Sequence, residues 1–206
     1  MICVKCNLQI KRGERYHRTK RGPHHRQCSV AWSLRTFTGR MINPCDIRTE
    51  EVDINDIAHS LAHQCRFLGH ARGFYSVAQH SVIVSELVPK ADSLWGLLHD
   101  AAEAYLGDII APIKRCEEMY VYRSAEDRVL KTVAEKFALN PVLPASVEDA
   151  DKSILATEFR DITTVDDPGW IISECGCEPI AGLHITPWPP DVAEDRFLRR
   201  FWELAR

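Results

Sequence analysis

From residue 54 onward, apolar residues recur every three or four positions, the spacing of helices that bury one face. The segment 165–190 breaks this pattern, because it is rich in proline, glycine and cysteine, and it predicts a long loop. The main domain is therefore expected to be all-α. The predicted helices cover residues 54–68, 76–88, 93–106, 124–139, 146–161 and 191–205.

Capping residues support several of these boundaries. Ser76 is followed three residues later by Gln79, as in a capping box, and Ser146 is followed by Asp149 in the same spacing. Gly69 and Gly107 stand where the first and third helices are expected to end, because glycine readily adopts the conformation of a helix C-cap.

The first 39 residues differ from the rest in charge. Residues 1–40 carry ten Lys or Arg and a single acid, Glu14, whereas the remainder carries sixteen Lys or Arg and twenty-eight Asp or Glu. Turn-forming residues interrupt the basic segment, so short strands and turns are expected there. We therefore predict two parts, a small basic module over residues 1–39 and a helical domain over residues 40–206.

The basic module contains two pairs of metal-ligand residues. Cys3 and Cys6 are separated by two residues, and so are His25 and Cys28. This spacing predicts a Cys3His structural zinc site of the zinc-ribbon or treble-clef type, with His24 or His17 as substitutes for His25. A segment with almost no hydrophobic core of its own needs a structural metal site of this kind to stabilise its fold.

Composition and apolar patterning narrow the class of protein. No apolar run is long enough to cross a bilayer, and the first residues do not resemble a signal peptide, so a cytoplasmic protein without a membrane partner is expected. The eight cysteines are then more typical of metal ligands or free thiols than of disulfides. For a phage-encoded chain the compartment would be the host cytoplasm.

Three polar residues interrupt the apolar third helix. His99 and Asp100 are adjacent, and Glu103 follows His99 by one turn on the same face. Burial of such groups is costly unless something pairs with them. A divalent cation would do so.

His80 on the preceding helix and Asp151 on the fifth complete a candidate ligand set. Imidazole and carboxylate ligands suit zinc, manganese, cobalt or iron, with magnesium as a possible helper ion. Two His and two Asp leave positions open for water and a substrate oxygen, as a catalytic site requires. Taken singly, each residue has a structural interpretation, such as a core histidine or a helix N-terminal acid for Asp151.

The order of these motifs resembles the HD-domain phosphohydrolases. It is most similar to the branch that contains bacterial deoxynucleoside 5′-monophosphatases and phage enzymes that remove the triphosphate from dATP. The similarity extends from about residue 40 to the C-terminus. The motifs are SVAQHS, HDAAE, GDIIAPIK and ADKSILATE, in this order along the chain.

The resemblance implies a role for several residues. The metal ligands would be His80, His99, Asp100 and Asp151, with Asp149 as the alternative for the last. Glu103 would be the general acid or base, and Asp108 would orient the nucleophile or protonate the leaving oxygen. In the segment CRFLGH, Arg66 would clamp phosphate through two bonds and Phe67 would pack on the sugar, although core packing is an equally simple role for this ring. Lys114 would lie near the phosphate.

These residues predict hydrolysis of nucleotide phosphate esters, with a deoxynucleoside mono- or triphosphate as substrate. The resemblance also implies a homo-oligomer. An HD-type phosphodiesterase or cyclic-nucleotide hydrolase is the alternative enzyme. A non-enzymatic protein that binds nucleic acid through the basic module is the alternative of another class.

Overall fold

A computed structural model describes Met1 and residues 9–12, 16–19, 22–25 and 33–205. In its N-terminal part, strand β1 (Tyr16–Thr19) pairs antiparallel with β2 (Gly22–His25), and β3 (Leu34–Arg35) pairs antiparallel with β4 (Met41–Ile42). The predicted zinc ligands Cys3, Cys6 and Cys28 lie outside the described residues. Of His25 only the backbone position in β2 is described, opposite Tyr16.

Helices dominate the part of the chain from residue 54 onward, as the apolar pattern predicts. No helix in the described residues is long and apolar enough to cross a membrane. The helices are α1 (Ile54–His63), α2 (Val77–Leu87), α3 (Ser93–Leu98), α4 (Glu103–Leu106), α5 (Ala111–Lys114), α6 (Tyr120–Lys136), α7 (Ala145–Ile162), α8 (Pro168–Cys175) and α9 (Pro190–Leu204).

Helix α2 lies at the centre of the fold. Its first nine residues, from Val77 to Ser85, are all buried, because α1, α3, α7 and α9 pack around it. A helix enclosed on every side is apolar all round rather than on one stripe. His80 is therefore held in the protein interior, where it is fully buried.

Two of the predicted capping residues are confirmed. The Ser76 side chain accepts a hydrogen bond from the Gln79 backbone N–H at 3.1 Å and begins α2. Gly107 ends α4 at a φ of 85°, a conformation that an L-residue rarely adopts. Ser146 is different, because its hydroxyl bonds to the Asp92 carboxylate at 2.6 Å, and α7 begins one residue earlier at Ala145.

The first helix ends earlier than the prediction. It stops at His63 because the next residues are extended and pair with the chain that enters α2: Arg66 N–H donates to Tyr75 O at 2.9 Å, and Val77 N–H donates to Gln64 O at 3.1 Å. A short 3₁₀ segment, Arg66–Gly69, follows, with left-handed backbone at Phe67.

The predicted helix over residues 93–106 is interrupted at its polar motif. Residues 99–102 form tight turns with hydrogen bonds to the third residue back, such as Ala101 N–H to Leu98 O at 3.0 Å. The His99 Nδ1 bonds to the Gly96 carbonyl at 2.9 Å and competes with the backbone for this acceptor. His99 and Asp100 thus lie on a distorted turn between α3 and α4.

The prediction of an unbroken loop over 165–190 is wrong, because α8 lies within it. Asp167 caps this helix through bonds to two backbone N–H groups, Pro168 occupies its first turn, and Gly176 ends it in the left-handed conformation. On α9, Phe197 and Phe201 are buried, whereas Trp202 is exposed.

Gly96 allows α2 and α3 to approach closely, and these helices carry the two candidate histidine ligands. A Cβ at this position would lie 2.9 Å from the Ser85 Cα and 3.1 Å from Val88 Cγ2. We expect Gly96→Ala to lower the free energy of unfolding by about 1–3 kcal/mol, measured by urea denaturation. Gly73→Ala is the control, because a Cβ there meets no atom within 4 Å. Equal stability of the two variants would contradict this packing argument.

Candidate metal centre

Two histidines from neighbouring helices direct their ring nitrogens toward one point. His80 Nε2 and His99 Nε2 are 3.3 Å apart, and both rings are buried. The opposite nitrogen of each ring has its own partner: His99 Nδ1 bonds to the Gly96 carbonyl at 2.9 Å, and His80 Nδ1 bonds to the Glu158 carboxylate at 2.7 Å. These bonds orient both Nε2 atoms toward the same space.

Two carboxylates close the group. Asp151 Oδ1 lies 3.1 Å from His80 Nε2, and Asp100 Oδ2 lies 3.3 Å from His99 Nε2 and 3.7 Å from His80 Nε2. Asp149, the alternative to Asp151, is exposed on the surface of α7. The structure therefore brings together all four residues predicted as metal ligands, and it favours Asp151 over Asp149.

Three of these residues, His80, His99 and Asp151, offer ligand atoms that all lie within 4.8 Å of one another, and Asp100 contacts both histidines. Ligand atoms on bonds of about 2.0–2.2 Å around a tetrahedral ion lie about 3.3–3.6 Å from one another. The distances between the facing nitrogen and oxygen atoms here are 3.1, 3.3, 3.3 and 3.7 Å. The donor set of two imidazoles and two carboxylates suits zinc, manganese, iron or cobalt.

Electrostatics also favours a cation at this place. Burial and the charge of Arg66 lower the pKa of His80, but the Glu158 and Asp151 carboxylates outweigh these effects and raise it to about 9. Burial opposes ionisation of Asp151, yet the hydrogen bond and charge of His80 hold the pKa of Asp151 well below its ordinary value. The same carboxylates that favour a proton on His80 would favour a metal ion.

A second group of metal-ligating residues, outside this centre, is less suited to an ion. His59, His63 and Glu194 offer ligand atoms within 4.8 Å of one another. However, His59 Nδ1 already bonds to Glu194 at 2.9 Å, His63 Nδ1 bonds to a backbone carbonyl, and the two rings contact each other at a tilt of 32° with their centroids 4.2 Å apart. These groups are partnered without a metal.

Glu158 is a site residue that sequence reasoning missed. It is fully buried on α7, and it accepts hydrogen bonds from His80, Tyr75 and Arg66. One indication was present in the motif ADKSILATE, since Glu158 follows Asp151 by seven residues and so lies on the same face of the helix.

Arg66 lies beside the cluster, as its predicted role requires. Its Nη2 donates to Glu158 Oε2 at 3.0 Å, and its Nη1 is 3.9 Å from Asp100 Oδ2. The Nε atom is buried without a hydrogen-bond partner. The arginine thus keeps unused donors next to the candidate ligands. The neighbouring Phe67 ring packs against Phe159 with 5.5 Å between centroids, so core packing is its visible contact.

Glu103 and Asp108 are near enough to Asp100 for its charge to act on both carboxyl groups, and Lys114 contacts Glu103. Burial, with the charges of Asp100 and Asp108, raises the pKa of Glu103 to about 9, and burial likewise raises the pKa of Asp108. Lys114 Nζ contacts Glu103 Oε1 at 3.3 Å and Glu126 Oε1 at 2.7 Å. Lys114 is therefore hydrogen-bonded to the carboxyl groups of Glu103 and Glu126 in this structure.

The buried carboxyl of Glu103 predicts a pH-dependent effect on stability. Its Oε2 has no hydrogen-bond partner, and its pKa is about 9 in the fold against an ordinary 4.5. The unfolded chain therefore loses this proton first, so the contribution of Glu103 to stability falls as the pH rises from 4.5 toward 9. Metal-free Glu103→Gln should be more stable than the parent by about 1–3 kcal/mol at pH 8, and this gain should vanish near pH 4.5. Denaturant titrations at both pH values test this, and a gain independent of pH would contradict it.

Comparison with known proteins places the chain among relatives. The helical fold and the buried histidine–carboxylate cluster define a helical protein with a candidate metal centre. The chain is 40% identical over 172 residues to YfdR of Escherichia coli (strain K12), a match that covers 84% of this chain and 95% of that protein. The chain therefore belongs to the YfdR family. It is also 39% identical over 132 residues to a protein of Rhodobacter capsulatus, covering 60% of this chain and 66% of the relative. Both relatives are described as uncharacterized, and no family profile matches the chain.

Proposed function

We propose that this protein is a metal-dependent phosphohydrolase of the HD type that acts on nucleotides. The observation that carries the proposal is the convergence of His80 Nε2, His99 Nε2 and the Asp100 and Asp151 carboxylates, with 3.1–3.7 Å between facing atoms. A divalent metal bound by these four residues would supply Lewis acidity toward a phosphoryl oxygen and a more acidic water.

Arg66 supports phosphate as the ligand. Its guanidinium carries a fixed positive charge beside the cluster, and only one of its nitrogens is bonded closely, to Glu158. Guanidinium groups match the geometry of phosphate oxygens and would counter the charge that develops during transfer.

Glu103 and Asp108 are the carboxyl groups available to hold or pass a proton. Both lie in a region where burial raises carboxyl pKa values. Lys114 contacts Glu103 and Glu126 and so positions the Glu103 side chain. The proposed assignment is that Glu103 or Asp108 delivers the proton that the leaving oxygen requires.

Deoxynucleoside mono- or triphosphates are the proposed substrates, because the order of the four motifs resembles the enzymes that hydrolyse them. A panel of ribo- and deoxynucleoside mono-, di- and triphosphates, with manganese, cobalt, zinc or magnesium, tests this. Release of nucleoside with phosphate would indicate a monophosphatase, and release of triphosphate would indicate a triphosphohydrolase.

The same panel separates the alternatives. Turnover of cyclic nucleotides alone would indicate a phosphodiesterase. Nucleic-acid binding that persists in Asp100→Ala and disappears in Cys6→Ser, without turnover of any nucleotide, would indicate a binding protein that acts through its basic N-terminal module.

A further inference from the structure

Glu158 is a buried carboxylate with partners from three different segments. It lies on α7, and its two oxygens are divided between those partners. Oε1 accepts from His80 Nδ1 at 2.7 Å and from Tyr75 OH at 2.8 Å, and Oε2 accepts from Arg66 Nη2 at 3.0 Å. One residue thus contacts both a candidate metal ligand and the candidate phosphate-binding arginine.

The backbone holds these partners in register. Cys65 and Ser76 form an antiparallel bridge, and Arg66 N–H donates to Tyr75 O at 2.9 Å. This pairing places the side chains of Arg66 and Tyr75 on the same carboxylate. Ser76 then begins α2, which carries His80 one turn later.

We propose that Glu158 is a positioning residue that orients His80 toward the metal and Arg66 toward the phosphate, so that the two binding events depend on one carboxylate. This inference rests on the proposed function. A bond from Nδ1–H to a carboxylate leaves Nε2 directed at the metal, and such partners commonly change metal affinity about 10–100-fold.

The number of bonds to Arg66 supports this assignment. Within hydrogen-bond distance, its only described side-chain acceptor is Glu158, since Asp100 Oδ2 lies 3.9 Å away and Nε has no partner. Without Glu158 the guanidinium would keep no close acceptor among the described side chains. The orientation of Arg66 therefore depends on the same carboxylate that orients His80.

Mn²⁺ binding provides a readout that does not depend on turnover. Free Mn²⁺ is followed by electron paramagnetic resonance in titrations of the full-length parent, Glu158→Gln, Glu158→Asp and Tyr75→Phe. Manganese suits imidazole and carboxylate ligands, whereas the thiolates of the N-terminal module suit zinc. Asp56→Asn is the matched control, since Asp56 is also a buried carboxylate with two hydrogen bonds, both to Thr38.

We expect Glu158→Gln to weaken Mn²⁺ binding about 10–100-fold and Tyr75→Phe to weaken it by a smaller factor, with Asp56→Asn unchanged. Glu158→Asp, which keeps the charge, should recover part of the affinity. Imidazole ¹⁵N resonances of the protein loaded with diamagnetic Zn²⁺ should show a shift at His80 in both the Gln and Phe variants. If the parent hydrolyses a nucleotide, Glu158→Gln should also show a higher KM for that nucleotide than the parent.

Different failures have different meanings. A parent that binds no Mn²⁺ would overturn the proposed function, and this inference with it. A parent that binds Mn²⁺ while folded Glu158→Gln binds it equally well would overturn only the role of Glu158. If Glu158→Gln does not fold, Tyr75→Phe becomes the test. A Tyr75→Phe variant with the Mn²⁺ affinity and the His80 resonance of the parent would then contradict the proposal.

Discussion

Asp151→Ala is expected to lower metal-dependent nucleotide hydrolysis by at least about 10³-fold, whereas Asp149→Ala should leave it within about twofold. Asp151 contributes the carboxylate oxygen 3.1 Å from His80 Nε2. Asp149 lies two residues earlier on the same helix, about 200° around its axis, and is exposed. The two substitutions thus remove the same chemical group from different faces of α7.

Metal content makes this comparison independent of the substrate. Both variants are dialysed against Mn²⁺ and then against buffer, and bound manganese is measured by atomic absorption. We expect the parent and Asp149→Ala to retain Mn²⁺ and Asp151→Ala to lose it. Equal metal retention by the two variants would contradict the assignment of Asp151 as a ligand.

Arg66→Met should destabilise the metal-free protein by about 3–5 kcal/mol, because removal of one partner leaves a buried charge without compensation. Arg66 and the fully buried Glu158 form an ion pair at 3.0 Å. Burial disfavours the charged form of Glu158, but the charges of Arg66 and His80 lower its pKa to about 2. Methionine keeps most of the side-chain volume, so the change reports mainly on charge.

Arg72→Met is the matched control for this variant. Arg72 pairs with Asp166 at 3.0 Å, but both side chains are largely exposed, and such pairs contribute at most about 1 kcal/mol. Urea denaturation of both variants gives the comparison. A loss of less than about 1 kcal/mol for Arg66→Met would show that Glu158 does not need the arginine as its counter-ion.

The sequence predicts the histidine–aspartate cluster well because its signals are local. Polar residues within an apolar helix, such as His99 and Asp100, can be recognised as candidate site residues from the sequence without knowledge of how the helices pack. The periodic apolar positions also predict the main helices, since burial of one face is the dominant constraint on them. Asp151 required a choice against Asp149, which the resemblance favoured and the helix geometry supports.

Glu158 was harder to predict because its role depends on distant partners. Tyr75, His80 and Arg66 precede it by 78 to 92 positions and meet it only in the folded protein. The break in the third helix coincides with a local contact instead, the bond between His99 Nδ1 and the Gly96 carbonyl three residues earlier. The helix α8 was different, because its capping residues Asp167 and Gly176 are visible in the sequence.

Reconstitution of chelator-treated protein with a metal tests the central claim most directly. Mn²⁺ is added stepwise to the parent and to Asp100→Ala, and nucleoside and phosphate products are followed with dAMP and dATP as substrates. The account predicts hydrolysis that is absent without metal, saturates near one Mn²⁺ per chain and is lost in Asp100→Ala. Folded parent protein that binds Mn²⁺ but hydrolyses neither substrate, or equal turnover by Asp100→Ala, would contradict it.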